Sequence, residues 1–395
     1  MMNFRLKLRL YLVNVFRVII ALTMIASGLV KLLDPLGMVY KLQVYTNYLD
    51  IDVDALWMKV IVVALSVVEL QLGVYLFLGI RRRTSAWITF LIMLGFLGIT
   101  TYFYFNGGVN DCGCFGAALE LSQDHTVVKN IILVAMLAYI VRFPHKMRRL
   151  VTERNQVIAT VYVFCYAIVI ALYSLHYLPL VTFTDYRVGE DWGRQYQYGE
   201  EPARDGILNL SFYTEEGTDV AASILNDHST TLLLTLPDAK TADDSSADRI
   251  NDIYDWAIDN DCGIYALVGT LADYQNWKDR TGASYTCLSA DADVIKNMVR
   301  SSPGMLLIDK GILKGKWGTN NLPTKAEVAS LVSDKTSPDA SENMTWARIL
   351  LLLIAPLVIL VILDGLWLGR IYHGHRIRMV EILKKREEEK VAGGE

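Results

Sequence analysis

Six stretches of this 395-residue chain are long and apolar enough to cross a bilayer as helices: residues 11–33, 56–78, 85–105, 126–143, 157–178 and 346–368. Covering ~30 Å of hydrocarbon takes about 20 mostly apolar residues. The fourth stretch is the weakest, because its apolar run starts only after Lys129 and Asn130. Periodicity alone would allow a buried soluble helix there, and its neighbours on both sides decide for a span. Charged residues make up 20% of the chain, below the ~25% usual in soluble domains. A disordered chain, a coiled coil and an ordinary cytosolic enzyme are excluded.

Charge divides the chain in two. Residues 179–345 hold 27 acidic and 14 basic side chains, while the rest holds 15 acidic and 24 basic. An acidic polar part joined to a basic apolar part predicts a membrane protein carrying a water-exposed domain. Orientation follows from Lys and Arg near the span ends. With the N-terminus inside, the inner tips carry 17: Arg5, Lys7 and Arg9, then Arg81 to Arg83, then Lys146, Arg148, Arg149 and Arg154, and seven in the tail from Arg370 to Lys390. The two short loops on the other side carry one, Lys41. Both termini are therefore expected inside, with residues 179–345 outside. The first run lacks a small-x-small cleavage site before the next polar loop, so it is expected to remain as an anchor.

The loop between spans three and four holds Cys112-Gly113-Cys114, on the side where disulfides persist. Gly113 permits the sharp backbone that would let the two sulfurs meet. A disulfide across Cys-x-Cys closes a tight ring, and strained disulfides are the labile, oxidising ones. Reactivity needs a thiolate, which nearby positive charge favours; His125 and Lys129 are the candidates for it. Three readings stand: redox-active thiols, a structural pair, or a metal site with His125. The last has little support, since the spacing is not that of a zinc framework.

The element Asp111-Cys112-Gly113-Cys114-Phe115-Gly116, followed by Lys129-Asn130 and an apolar helix, resembles the MauE branch of the DoxX-like membrane proteins. The first span agrees, with Arg17 and the run Ser27-Gly28-Leu29-Val30-Lys31-Leu32-Leu33-Asp34-Pro35, as does Glu69 with Leu72-Gly73 in span two. The resemblance covers about residues 10–178. It implies a four- or five-span bundle tied to extracytoplasmic thiol–disulfide chemistry, with Cys112 and Cys114 as the redox pair. It supplies no substrate.

Ionisable groups inside a bilayer are costly and point to function or packing. Arg17 lies ~9 Å from the inner end of span one, and Glu69 roughly 14 Å from the inner end of span two. Arg17–Glu69 is thus the expected buried pair, with Lys31–Glu69 as an alternative if the helices shift. Lys31 and Asp364 lie near span ends, within reach of the headgroups. Glu69 has two readings, a packing ion pair or a proton or quinone role. Cys165, ~10 Å from the inner end of span five, is expected to be a small buried apolar residue.

In the outer part, strands are expected at 230–236, 263–269 and 284–288, a hairpin at 305–309 and 312–317, and helices at 245–260, 271–281, 293–300 and 325–331. That is a mixed α/β sheet. Over residues 207–332 the order resembles a thioredoxin-like domain of the TlpA type. The resemblance implies that Pro303 is a cis-proline and that Asp309-Lys310-Gly311 is the hairpin turn. Where that family has Cys-x-x-Cys, residues 237–246 contain no cysteine. Cys262 and Cys287 either form one structural disulfide or remain separate thiols.

The fold expected is a polytopic α-helical bundle, DoxX/MauE-like, at 1–178, then an α/β thioredoxin-like domain at 179–345, a sixth helix at 346–368 and a charged tail at 369–395. The function expected is that of a bacterial inner-membrane component of thiol–disulfide exchange. A scaffold for other envelope proteins is the alternative, and a transporter subunit is weaker, because few polar residues line the spans. No cofactor is required by the sequence, with a membrane quinone as candidate electron acceptor. The partners expected are the bilayer and extracytoplasmic protein thiols or a redox protein; the acidic outer part argues against nucleic acid.

Overall fold

The computed structural model describes residues 4–107, 122–199, 205–225, 229–240, 242–334 and 345–367. Five membrane-length helices come first: α1 (Phe4–Leu33), α3 (Ala55–Leu78), α4 (Arg82–Asn106), α5 (Gln123–Arg142) and α6 (Glu153–His176). A shorter helix, α2 (Pro35–Tyr48), intervenes after the first. The sixth membrane-length helix, α14 (Thr345–Trp367), follows the α/β unit. The chain is a multi-pass membrane protein.

Local chemistry sets where these helices start and stop. The Asp34 carboxylate accepts from the Gly37 amide at 2.8 Å, with Pro35 in the first turn, so α1 ends and α2 begins within two residues. Both are strong helix-start signals. Asp54 caps α3 through the Leu56 amide, and Gly79 closes α3 in the left-handed region at φ 73°, where glycine carries no Cβ penalty.

α1 and α3 pack backbone to backbone. A Cβ on Gly28 would lie 2.6 Å from the Leu70 amide nitrogen, and one on Gly73 would lie 2.8 Å from that of Ile25. In lipid, where burying apolar surface between helices gains little, such small-residue contacts supply the packing.

α7 (Trp192–Tyr198), α8 (Asp205–Leu208) and α9 (Ala221–Ile224) precede a five-stranded sheet. Its strands are β1 (Thr230–Leu236), β2 (Gly263–Val268), β3 (Thr286–Ser289), β4 (Gly304–Asp309) and β5 (Ile312–Gly318), in the order β3-β2-β1-β4-β5. β1, β2 and β3 run parallel, and β4 and β5 run antiparallel. Parallel strands need crossovers, provided here by α10 (Ala247–Asp259) and α11 (Leu271–Thr281); α12 (Ala292–Met298) leads into β4 and α13 (Lys325–Ser333) closes the unit.

β1 is central and hydrophobic on both faces, as its sequence Thr-Thr-Leu-Leu-Leu-Thr-Leu demands. Leu232, Leu234 and Leu236 meet Ile250, Ile253 and Ala257 of α10 and Trp277 of α11. Leu233 faces the other way, onto Trp192, Phe212, Ile295 and Met298. Residues 186–199 and 205–225, in a stretch where the sequence suggested no element, thus share the cover of this face with α12.

Candidate functional site

The close approach at Gly28 brings three polar side chains together in the bundle. The Lys31 ammonium lies 2.7 and 2.9 Å from the two carboxylate oxygens of Glu69, and the Ser27 hydroxyl donates to the same carboxylate at 2.8 Å. Lys31 and Glu69 are 3% and 1% exposed, so neither charge reaches water through its side chain. The ammonium also sits 5.5 Å from the ring centroid of Phe96, within cation–π range.

Arg17 is not Glu69's partner. Its guanidinium donates to the carbonyl of Arg148, in the segment joining α5 to α6. α1 starts at Phe4 rather than at residue 11, so Arg17 lies level with the end of α3, where Leu150 donates to the Leu78 carbonyl at 2.9 Å. Lys31, expected to reach the headgroups, is turned inward instead. Asp364 also makes a specific contact: it accepts from the Thr152 amide, from the Thr152 hydroxyl at 2.8 Å and from Asn155 at 3.0 Å. A carboxylate there complements the N-terminal dipole of α6 and fastens α14 to it. Cys165 is exposed, on a bundle face turned outward, and not buried.

Beside the ion pair lies a cavity of about 450 Å³, walled by α1, α2, α4 and α5. It falls in the ~300–1,000 Å³ range of small-molecule sites. Most of its wall is apolar, with Met24, Met93, Phe96 and Leu133 prominent. Its polar lining includes Lys31, Lys129, Thr100, Thr126 and Asn130. Thr126 and Asn130 are each 1% exposed, and Thr126 Oγ1 and Asn130 Oδ1 have no hydrogen-bond partner among the described residues. Asn130 Nδ2 reaches the Thr100 hydroxyl at 3.3 Å. The sequence signal for these two was present but unread: Thr126, Asn130, Leu133, Leu137 and Ile140 form the buried stripe of α5 at helical spacing.

Cys112, Gly113 and Cys114 lie outside the described residues. Their anchor points are described. The helix ends at Asn106 and Gln123 bound the loop that holds them, and Tyr102, Phe103 and Gln123 line the cavity. Tyr48 of α2 donates to the Asn106 carbonyl at 3.1 Å. His125 is exposed, with its Nδ1 at 2.6 Å from the Ser122 hydroxyl. Lys129 belongs to the cavity wall.

The same end of the bundle carries the α/β unit. Arg300, just after α12, pairs with Asp34 at 3.2 Å, and the two are 5% and 3% exposed. The Arg300 guanidinium lies 5.4 Å from the ring centroid of Tyr40, and Lys296 lies 5.5 Å from it. Burial raises the Tyr40 phenol above its ordinary range, with Arg300 opposing that shift. The Ser302–Pro303 peptide, at the start of β4, is cis.

Cys262 and Cys287 are separate thiols. β2 and β3 are parallel, and Cys287 stands opposite Ala266, four residues along from Cys262. At ~3.3 Å per residue that is roughly 13 Å, far beyond the ~7 Å a disulfide tolerates. Burial, reinforced by Glu215, pushes the Cys287 thiol up to about 12, and burial with Asp309 and Asp261 raises Cys262.

Residues 9–143 match the model of the family Methylamine utilisation protein MauE. The matched segment runs from α1 to α5 and contains the Lys31–Glu69 pair, every residue lining the cavity and the Cys-Gly-Cys loop. No curated protein and no solved structure matches the chain. The α/β unit and α14 lie beyond the MauE match.

Proposed function

We propose that this chain is a membrane component of thiol–disulfide exchange, with Cys112 and Cys114 as the reacting pair. The MauE match directs the reading to a membrane protein of redox or methylamine-utilisation processes. One observation carries it further: α2 links the root of the cysteine loop to the α/β unit, through Tyr48 on Asn106 at one end and Asp34 on Arg300 at the other. The described end of α4 that leads into that loop, Asn106, is tied to α2, which also contacts the α/β unit. The 17-to-1 excess of Lys and Arg at the opposite end supports an extracytoplasmic position for this end of the bundle in a bacterial inner membrane.

The exchange balances within the protein pair. A thiolate of one cysteine attacks a partner's disulfide and forms a mixed disulfide, releasing one partner thiolate. The second cysteine then attacks the mixed bond, leaving Cys112–Cys114 oxidised and the partner fully reduced; the reverse order oxidises a partner. The α/β unit supplies binding and no chemistry of its own in this scheme. Its strand order supports a thioredoxin-type module, while residues 237–246 offer no thiol and burial raises the thiols of Cys262 and Cys287.

Trapping tests the proposal. Full-length Cys112→Ser and Cys114→Ser chains are expressed in cells, alkylated and resolved without reductant. One of them is expected to accumulate a disulfide-linked partner, and an alkylating agent that cannot cross lipid is expected to label the remaining thiol. Absence of any adduct, together with full function in a Cys112→Ala/Cys114→Ala chain, would leave the scaffold reading instead.

A further inference from the structure

We infer that the cavity between α1, α2, α4 and α5 binds a quinone-type ring carrying an apolar tail, and that this lipid-soluble carrier exchanges electrons with the Cys112–Cys114 pair; the electron-transfer half rests on the function proposed above. Three features select this ligand. The wall is mostly apolar, with polar groups from α1 (Lys31), α4 (Thr100) and α5 (Thr126, Lys129, Asn130), so the occupant is mostly hydrocarbon with one small polar head. Ile99 and Tyr102 of α4 both line the cavity and are 55% and 48% exposed on the flank of the bundle. That flank faces lipid in a bilayer, giving a membrane-dissolved molecule a way in.

The third feature is the unsatisfied pair. Thr126 Oγ1 and Asn130 Oδ1 are buried without partners among the described residues, a costly state that a ligand's polar head would relieve. Both can change role. A threonine hydroxyl donates or accepts, and an asparagine amide offers oxygen in one orientation and NH2 in the other. Thr100, which now receives the Asn130 amide hydrogen, has the same freedom. A quinol presents O–H donors and a quinone presents carbonyl acceptors in nearly the same shape. Side chains that switch between accepting and donating therefore suit a head that interconverts between these two forms. An acyl chain alone would leave both atoms unpaired.

The redox step balances in two electrons. The reduced dithiol Cys112/Cys114 loses two electrons and two protons to become a disulfide, and the quinone takes up both to become a quinol. Tyr102 and Phe103, one turn before the end of α4 at Asn106, and Gln123, at the start of α5, contribute to the cavity wall.

The test uses the full-length chain in phospholipid nanodiscs, with decylubiquinone as the probe and empty nanodiscs as the background. Saturable binding is expected. Thr126→Val/Asn130→Leu is expected to weaken it at least tenfold, and Leu133→Trp, which fills the apolar part, to abolish it, with both variants retaining the wild-type melting behaviour in detergent. Decylbenzene, which has the tail without the carbonyls, is expected not to compete. Binding by Cys112→Ala/Cys114→Ala is expected to match wild type, so the cavity is tested independently of the sulfurs. The inference is overturned if decylubiquinone shows no saturable binding, if folded Thr126→Val/Asn130→Leu binds as wild type, or if decylbenzene competes equally. A trapped mixed disulfide without quinone binding would remove this inference and leave the proposed thiol exchange standing. Binding without trapping would do the reverse.

Discussion

Removing either partner of the Lys31–Glu69 pair should cost far more than removing both. Glu69 accepts from the Lys31 ammonium at 2.7 and 2.9 Å and from Ser27 at 2.8 Å, and both charges are almost fully enclosed. Among the described residues, Glu69→Leu leaves the ammonium without a counter-ion and beside the Phe96 face, and Lys31→Met leaves the carboxylate with the Ser27 hydroxyl as donor. Stranding a buried charge costs about 3–5 kcal/mol, a shift of roughly two to three and a half decades in the folding equilibrium. Lys31→Met/Glu69→Leu strands nothing and should lie within about 1–2 kcal/mol of wild type, on either side. The assay is reversible unfolding of the full chain in mixed micelles by added SDS, followed by circular dichroism. The expected coupling between the two sites is at least about 2 kcal/mol in a double-mutant cycle. Single variants as stable as wild type, or a double variant that loses the sum of the singles, would refute the idea that these charges compensate each other. Glu69→Gln then separates packing from chemistry: lost protein marks a packing pair, and normal protein without activity marks a reacting carboxylate.

Three further outcomes are expected. Arg300→Ala should leave Asp34 buried and unpaired, loosening the junction by about 3 kcal/mol, visible as faster hydrogen exchange at Tyr40 and in residues 296–303 and lost if the pair is merely superficial. Cys287 should react with a small thiol reagent about tenfold faster per pH unit from pH 8 to 10 without levelling off, since burial pushes its thiol up to about 12, whereas an unperturbed thiol levels off above ~9. Because the folded chain then keeps a proton that the unfolded chain loses, this site's contribution to stability should decline as pH rises above ~8.5. Gly28→Leu should separate α1 from α3, because its Cβ would meet the Leu70 amide at 2.6 Å; a clear loss of folded protein is expected, and an unchanged melting point would contradict the backbone-to-backbone packing.

Helix positions were legible because hydrocarbon thickness and sheet burial write themselves as long apolar runs; β1 was bounded to the residue at Thr230–Leu236. α2 was not, because Lys41, Gln43 and Asn47 break its apolar pattern and its main signal is the Asp34 cap. The ion pair was harder. Depth was reckoned from residue 11, whereas the helix begins at Phe4, and Arg17 bonds through its guanidinium to a backbone carbonyl that no search for opposite charges can find. Thr126 and Asn130 lay in plain view, but as the polar start of a weak span they looked like its boundary. Only the assembled walls turn that boundary into the inside of a chamber.

The α/β unit hangs between α6 and α14, and those two helices are themselves stitched together. Tyr166 donates to the Ile349 carbonyl at 2.8 Å, Tyr162 to that of Leu352, and Asp364 holds Thr152 at the far end. Near the domain, Asn320 reaches the His176 carbonyl at 2.5 Å. Such a mounting behaves as a two-legged pedestal and not as an arm on a single tether. Whatever meets this domain has to travel to it, within reach of a fixed height above the lipid.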